Sequence, residues 1–279
     1  MYQRGLMRTA VVFDSAGTLL RTYRIAKAVR IGELLEDVET TMLTYADPDR
    51  VLCVLHGHTS DFVQAPSDLL LSDFLILHNL DFGISCTRKV VEKERIRDIL
   101  FHDRHAIVGD LQECMRIIWS FIKDQEIVAL HNGLIVHTAQ KIIEYCVTAG
   151  GTPFPKAKET IAALHQMGIF TYIASGDRES KLERMADYLG IPHDRVFGVA
   201  TPSKKEEIVR DLKKQFDFVV MVGDSINDLK AMRAADLSIL SDQQASKKPP
   251  ELIDHADYRI TDLSNVPDIV RKVIEKSEI

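Results

Sequence analysis

Hydrophobic and polar positions in this chain follow two patterns. In the C-terminal half, short apolar runs alternate with stretches that repeat every three or four residues. Residues 169–174 and 218–222 are such runs, each followed at once by a small polar turn, Ser175-Gly176-Asp177 and Gly223-Asp224. An apolar run of that length marks a strand covered on both faces. Residues 156–166 place Ala157, Ile161 and Leu164 on one helical face and stop before Gly168, a C-cap. Leu182, Met185, Ala186 and Leu189 repeat at helical spacing ahead of Gly190, and Ile208 with Leu212 do so further on. Strands alternating with such helices predict right-handed βαβ units and an α/β, doubly wound parallel sheet.

The first strand of that sheet is expected at residues 9–13. The next strand–helix unit resumes only near Gly150-Gly151-Thr152-Pro153. The expected organisation is therefore a core of residues 1–21 and 150–279, with a mixed α/β cap domain of residues 22–149 inserted after the first strand. Within the insert, strands are predicted at 51–55, 74–78 and 127–130 and helices at 110–123 and 139–147, packed above the sheet. No internal repeat or low-complexity tract is present.

Composition narrows the class. The 279 residues are 46% hydrophobic and 27% charged, as expected of a globular protein. The formal net charge is -6 and the basic residues are scattered, which argues against nucleic acid or an anionic membrane as partner. Cys53, Cys86, Cys114 and Cys146 stand far apart with no CxxC pair, and read as reduced thiols of a cytoplasmic protein. The N-terminus has no apolar stretch long enough for a signal peptide. The most apolar window, 69–80, is broken by Ser72, Asp73 and His78 and is too short to span a bilayer.

Three strand ends carry the candidate chemistry. Asp14 closes the first strand in VVFDSAGTLL, and in an open α/β sheet ligands bind beyond the carboxyl ends of the strands. Alone it would read as a turn or helix-capping aspartate. Ser175-Gly176-Asp177 adds a hydroxyl and free backbone N–H groups at a helix start, which suit a phosphate. Gly223-Asp224-Ser225-Ile226-Asn227-Asp228 adds two carboxylates four residues apart. Hard oxygen ligands beside Asp14 form an expected Mg²⁺ site. Thr201-Pro202-Ser203-Lys204-Lys205 opens a helix with a lysine able to reach that site.

This set resembles the haloacid dehalogenase superfamily over residues 9–20 and about 150–265. Asp14, Gly17 and Thr18 match its DxxGT nucleophile motif, Ser175 its second motif, and Asp224 with Asp228 its GDxxND acidic pair. The TPxxK spacing of related sequences selects Lys205 as the motif lysine, with Lys204 as the alternative. The resemblance implies an aspartyl-phosphate mechanism: Asp14 as nucleophile, Ser175, Gly176, Asn227 and Lys205 holding phosphate, and Asp14, the Ala16 carbonyl, Asp224 and Asp228 around Mg²⁺. The implied partner is a small phosphorylated substrate or a nucleotide.

One position departs from the pattern. Family phosphatases usually carry an acid–base aspartate two residues after the nucleophile, where this chain has Ala16. Phosphonoacetaldehyde hydrolases have alanine there and use a cap lysine; P-type ATPases have threonine. The segments PKAKE, SGD, TPSKKEEIV and GDSINDLKAMRAAD resemble the phosphorylation domain of those pumps. A soluble relative of the P-type ATPase catalytic domain fits them best. Two alternatives stay open: a phosphate- and Mg²⁺-binding regulatory protein with little turnover, and a carbon–phosphorus hydrolase using one of Lys27, Lys89, Lys93, Lys123 or Lys141. His56-Gly57-His58 reads as a turn or substrate-facing loop, the scattered His102, His105, His131 and His137 as structural, and Trp119 as core.

Overall fold

The computed structural model describes residues 7–123, 129–177, 179–244 and 248–277. In chain order the elements begin β1 (Thr9–Phe13), β2 (Leu20–Ala28), β3 (Leu34–Glu36), α1 (Thr40–Tyr45), β4 (Arg50–Leu55), α2 (Thr59–Gln64) and α3 (Leu71–Leu77). They continue β5 (Phe82–Thr87), α4 (Lys93–His102), α5 (Val108–Ile122), β6 (Ala129–His137), β7 (Ile142–Pro153), α6 (Ala157–Gln166), β8 (Phe170–Ala174) and α7 (Glu179–Leu189). The chain ends with β9 (Val196–Phe197), α8 (Pro202–Leu212), β10 (Phe218–Gly223), α9 (Leu229–Ala234), β11 (Leu237–Ser241), α10 (Pro250–His255), β12 (Tyr258–Ile260) and α11 (Val266–Ser277). Two compact units result: one of residues 1–21 and 152–279, the other of residues 22–151.

The first unit is built on a six-stranded sheet in the order β12-β11-β10-β1-β8-β9, with every pairing parallel. All five residues of β1 are buried. The pleat divides them between two faces. Val11 and Phe13 join a core with Ile161 of α6, Met185 of α7 and Val270 of α11. Ala10 and Val12 join another with Val209 of α8, Met232 of α9 and Leu252 of α10. Helices therefore cover both faces, which is why β1 is apolar from Ala10 to Phe13. Each such side chain, fully buried, contributes about 1.5–3 kcal/mol.

The order of strands reverses at β1. From β1 the chain passes to β8 and β9 on one side, then to β10, β11 and β12 on the other. Such a switch point leaves a crevice at the carboxyl edge of the sheet. α6 closes at Gly168, which takes the left-handed conformation (φ 75°) that a Cβ would oppose.

The second unit has a six-stranded sheet in the order β3-β2-β7-β6-β4-β5, with antiparallel pairing at β2–β3, β4–β5, β4–β6 and β6–β7. Two predicted elements are corrected here. The run at 74–78, expected as a strand, belongs to the helix α3, because Leu71, Phe74 and Leu75 are buried while Ile76 and Leu77 are exposed. That spacing is helical, but the evenly apolar sequence hides it. The stretch 139–147, expected as a helix, is a turn followed by β7. Ile142, Ile143, Tyr145 and Val147 are β-branched or aromatic, and β6 supplies the pairing partner that tertiary structure demands. A register shift at Ile135/Val136 breaks the strict alternation. Of the strand expected at 127–130, residues 127 and 128 lie outside the described residues; Ala129 and Leu130 begin β6.

Candidate active site

Strand register brings the three motif ends together. Phe13 lies opposite Val222 of β10 and Ile173 of β8. Asp14, Asp224 and Ser175 therefore follow within one or two residues of the same sheet edge. The Asp14 N–H continues the pairing by donating to the Val222 carbonyl (2.9 Å).

Helix phase separates the two lysines. α8 buries Lys205, Ile208, Val209 and Leu212, a stripe at helical spacing. Lys205 thus lies on the face turned inward, 4% exposed. Its Nζ donates to Asp14 Oδ1 (2.5 Å) and Asp228 Oδ1 (2.7 Å). Lys204, one position round, pairs with Glu207 at the surface (3.0 Å). The start of α8 is fixed by Pro202 in its first turn and by the Thr201 hydroxyl, which accepts from the Lys204 N–H (3.2 Å).

Asp228 is fully buried, and both its oxygens are engaged. Oδ2 accepts from the Asp224 N–H (3.1 Å), the Ser225 N–H (3.1 Å) and the Ser225 hydroxyl (3.2 Å), while Oδ1 takes Lys205. Asp14, Asp224 and Asp228 each offer an oxygen within 4.8 Å of the others. Close packing demands glycine beside them. At Gly17 (φ 79°) a Cβ would stand 2.3 Å from Asp224 Oδ2.

Burial drives the electrostatics. It pushes the Asp14 carboxyl well above the usual range, the charge of Asp228 adds to this, and Lys205 opposes it. Asp224 is raised by burial too, with Lys248 opposing and Asp228 reinforcing. Burial works against the Lys205 charge, but Asp14 and Asp228 outweigh it and hold the ammonium above the normal lysine value. Three carboxylates facing two ammonium groups leave one uncompensated negative charge, an arrangement that favours a further cation.

The remaining expected residues are placed as follows. The Ser175 hydroxyl, 2% exposed, accepts from the Asp177 N–H (3.2 Å) and donates to the Asp177 carboxylate (3.4 Å). Gly176 is exposed, with open space where a Cβ would be. The turn is held from the other side: the Val199 N–H donates to the Asp177 carbonyl (2.7 Å) and the Ala200 N–H to that of Ser175 (2.8 Å). Val199 does this in a left-handed conformation, φ 51°, which is strained for a β-branched residue. Asn227 is exposed in the short turn Ile226–Asp228, and Ala16 is half-buried.

Three supporting residues were not singled out from the sequence. Lys248 donates to the Asp224 carbonyl (2.6 Å) and to its Oδ2 (3.1 Å). Ser241 donates to the Gly17 carbonyl (2.8 Å), and the Gln243 amide donates to the Thr18 carbonyl (3.0 Å), pinning the loop after Asp14. Ser241 ends β11, and Gln243 and Lys248 lie in the loop after it; none of them carries a periodic signal, and only the fold reveals their partners.

Among the described residues, no helix is long and apolar enough to cross a membrane, and the three aspartates form the only cluster of potential metal ligands. His56 and His58 are not part of one: His56 lies 3.9 Å from Asp81, and His58 precedes α2.

Comparison with known proteins finds several similarities. A protein of Methanocaldococcus jannaschii described as a soluble P-type ATPase-like phosphatase is 31% identical over 269 residues, spanning 96% of this chain and 95% of its own. The copper-transporting ATPase ccc2 of Schizosaccharomyces pombe is 39% identical over 85 residues, only 30% of this chain and 9% of that protein. A phosphoserine phosphatase structure, titled as a phospho-aspartyl intermediate analogue, aligns with a TM-score of 0.43 at 16% identity, covering 95% of this chain and 99% of the other. Residues 9–236 match the family described as haloacid dehalogenase-like hydrolase. The chain belongs to the haloacid dehalogenase-like hydrolase family and is a phosphohydrolase of that family.

Proposed function

We propose that the protein is a Mg²⁺-dependent, cytoplasmic phosphatase that forms an aspartyl phosphate on Asp14 and acts on a small phosphorylated substrate. The observation that carries this reading is the Lys205 bridge between Asp14 and Asp228, with Asp224 in the same cluster. The donor set suits a hard divalent cation, because it is all oxygen and carries excess negative charge. Asp14, Asp224 and the Ala16 carbonyl would hold Mg²⁺, with Asp228 acting through water. A cation held there would neutralise the negative charge that gathers where the nucleophile meets the phosphate.

The chain's own groups do the rest. Lys205 grips one oxygen of Asp14 and leaves the other to attack phosphorus in line. A new Asp14 O–P bond forms as the ester P–O bond breaks. The Ser175 hydroxyl and the Gly176 N–H donate to the phosphate oxygens, and Asn227 stands at the mouth of the same loop set. Water then cleaves the aspartyl phosphate and releases inorganic phosphate. Ala16 has no proton to give or take, so the leaving oxygen and the attacking water depend on solvent or substrate for proton transfer.

Rapid-quench assays with Mg²⁺ and an acyl phosphate test the proposal. They are expected to show a burst of phosphoenzyme followed by slower turnover, and no turnover in Asp14→Asn. Full activity of that variant would refute the covalent route. A burst with no steady state at all would favour the regulatory alternative that Ala16 keeps open.

A further inference from the structure

We propose that Lys248 is the built-in counter-ion of the metal site: it pairs with Asp224, and its charge sets how weakly Mg²⁺ is held. The inference rests on the reading of Asp14 and Asp224 as metal ligands.

The Lys248 side chain is 5% exposed, although lysine is rarely buried without a partner. Both its bonds go to one residue, the carbonyl and Oδ2 of Asp224. Lys205, in contrast, serves Asp14 and Asp228. Every carboxylate of the cluster therefore touches an ammonium, and Asp224 relies on Lys248 alone.

The two lysines differ in how they are held. Lys205 rises from the buried face of α8 and makes two carboxylate contacts. Lys248 lies outside any helix or strand, just before Pro249 and α10. Its ammonium is the one able to withdraw when a divalent cation arrives. Its effect on affinity has two opposing parts. Anchoring Asp224 favours metal, while a unit positive charge beside the ligand opposes it. Charge wins here, because Asp224 is anchored twice more. Its N–H is bonded to Asp228 Oδ2 (3.1 Å), and its carboxylate is seated against Gly17, where a Cβ would stand 2.3 Å away.

Calorimetric titration of Mg²⁺ into the metal-stripped full chain tests this. Lys248→Met and Lys248→Gln are expected to bind Mg²⁺ more tightly than wild type, by on the order of tenfold for removal of one nearby charge. Lys248→Arg, which keeps the charge, is expected to stay near wild type. The metal-free Met variant should also melt earlier than wild type and recover when Mg²⁺ is added. If Lys248→Met does not fold, Lys248→Gln decides in the same titration. Unchanged or weaker binding in the neutral variants, or equal tightening in Lys248→Arg, overturns the role of Lys248 while leaving the metal site standing. Failure of wild type and every variant to bind Mg²⁺ overturns the metal reading and this inference with it.

Discussion

Gly223 and Asp228 occupy one another's space: a Cβ on Gly223 would stand 2.5 Å from the Asp228 Cβ and 2.7 Å from its Oδ2. The glycine of the GD motif is thus a steric requirement of the aspartate five residues on. Gly223→Ala must push Asp228 off Lys205 and the Ser225 turn. A stability loss of about 1–3 kcal/mol is expected from overpacking. Turnover should fall much further than so modest a loss explains, as a comparison of urea midpoints with kcat will show.

The two adjacent lysines of α8 should behave as opposites. Lys205→Met leaves Asp14 and Asp228 buried without their cation, a change that costs about 3–5 kcal/mol in other buried pairs. Metal-free Lys205→Met should be strongly destabilised and inactive. Lys204→Met removes only a surface pair with Glu207, worth about 0–1 kcal/mol, and should keep wild-type kcat. Parallel activity assays and thermal melts of the two variants check this.

Ala16→Asp places a carboxyl where family phosphatases carry their acid–base group. The gain should be largest for sugar phosphates, whose leaving alkoxide needs a proton, and could approach the roughly 10²-fold lower end of general acid–base effects. Acyl phosphates should gain little. Equal rates of wild type on both substrates, with no burst, would mean that another residue supplies the proton.

Val199 offers a test of stored strain. Val199→Gly removes the Cβ from a left-handed position that is 66% exposed, so little packing is lost. A net stabilisation of about 1 kcal/mol is expected from relief of the left-handed penalty. Chemical denaturation measures it, and a destabilised variant would contradict the strain argument.

His165 supplies a pH dependence away from the site. Burial and then the charge of Arg195 lower its pKa, and its Nε2 lies 2.7 Å from the Thr171 hydroxyl. A histidine depressed in the folded state binds a proton better when unfolded. Its stabilising contribution is therefore complete above the unfolded value of about 6.5 and fades as pH falls below it. His165→Gln should show a shallower loss of urea midpoint between neutral pH and mild acid than wild type.

The parts of the fold legible in the sequence are those where one physical cause dominates. Val11, Val12, Val220 and Ile173 are buried, so β1, β8 and β10 appear as largely apolar runs that stop at Asp14, Ser175 and Asp224. Asp14 and Asp224 stand out in the sequence because they terminate those runs, and Asp228 by its spacing of four from Asp224. Lys205 followed from motif spacing, and the buried stripe of α8 gives the reason. The antiparallel unit resisted the same reading. Phe74 obeys a helical period masked by its apolar neighbours, and Ile143 has its strand partner in Val136 across a shifted register. Lys248 was invisible because nothing local to Lys-Lys-Pro-Pro reports a carboxylate 24 positions earlier.

The pairing order of the second sheet has a consequence for chain entropy. β2 carries the chain into the insert and β7 carries it out, and the two are hydrogen-bonded neighbours. Just beyond them the Phe154 N–H donates to the Leu19 carbonyl (2.9 Å), so the chain re-enters where it left. Once those strands have paired, about 130 residues act as a short loop between β1 and α6. Because closure cost grows with the logarithm of loop length, the pairing spares roughly 2 kcal/mol of the penalty for seating β1 at the centre of its sheet. An insert that folds early would therefore speed assembly of the parallel sheet as well as fold itself, and weakening the β2–β7 seam should slow refolding more than it lowers the melting temperature.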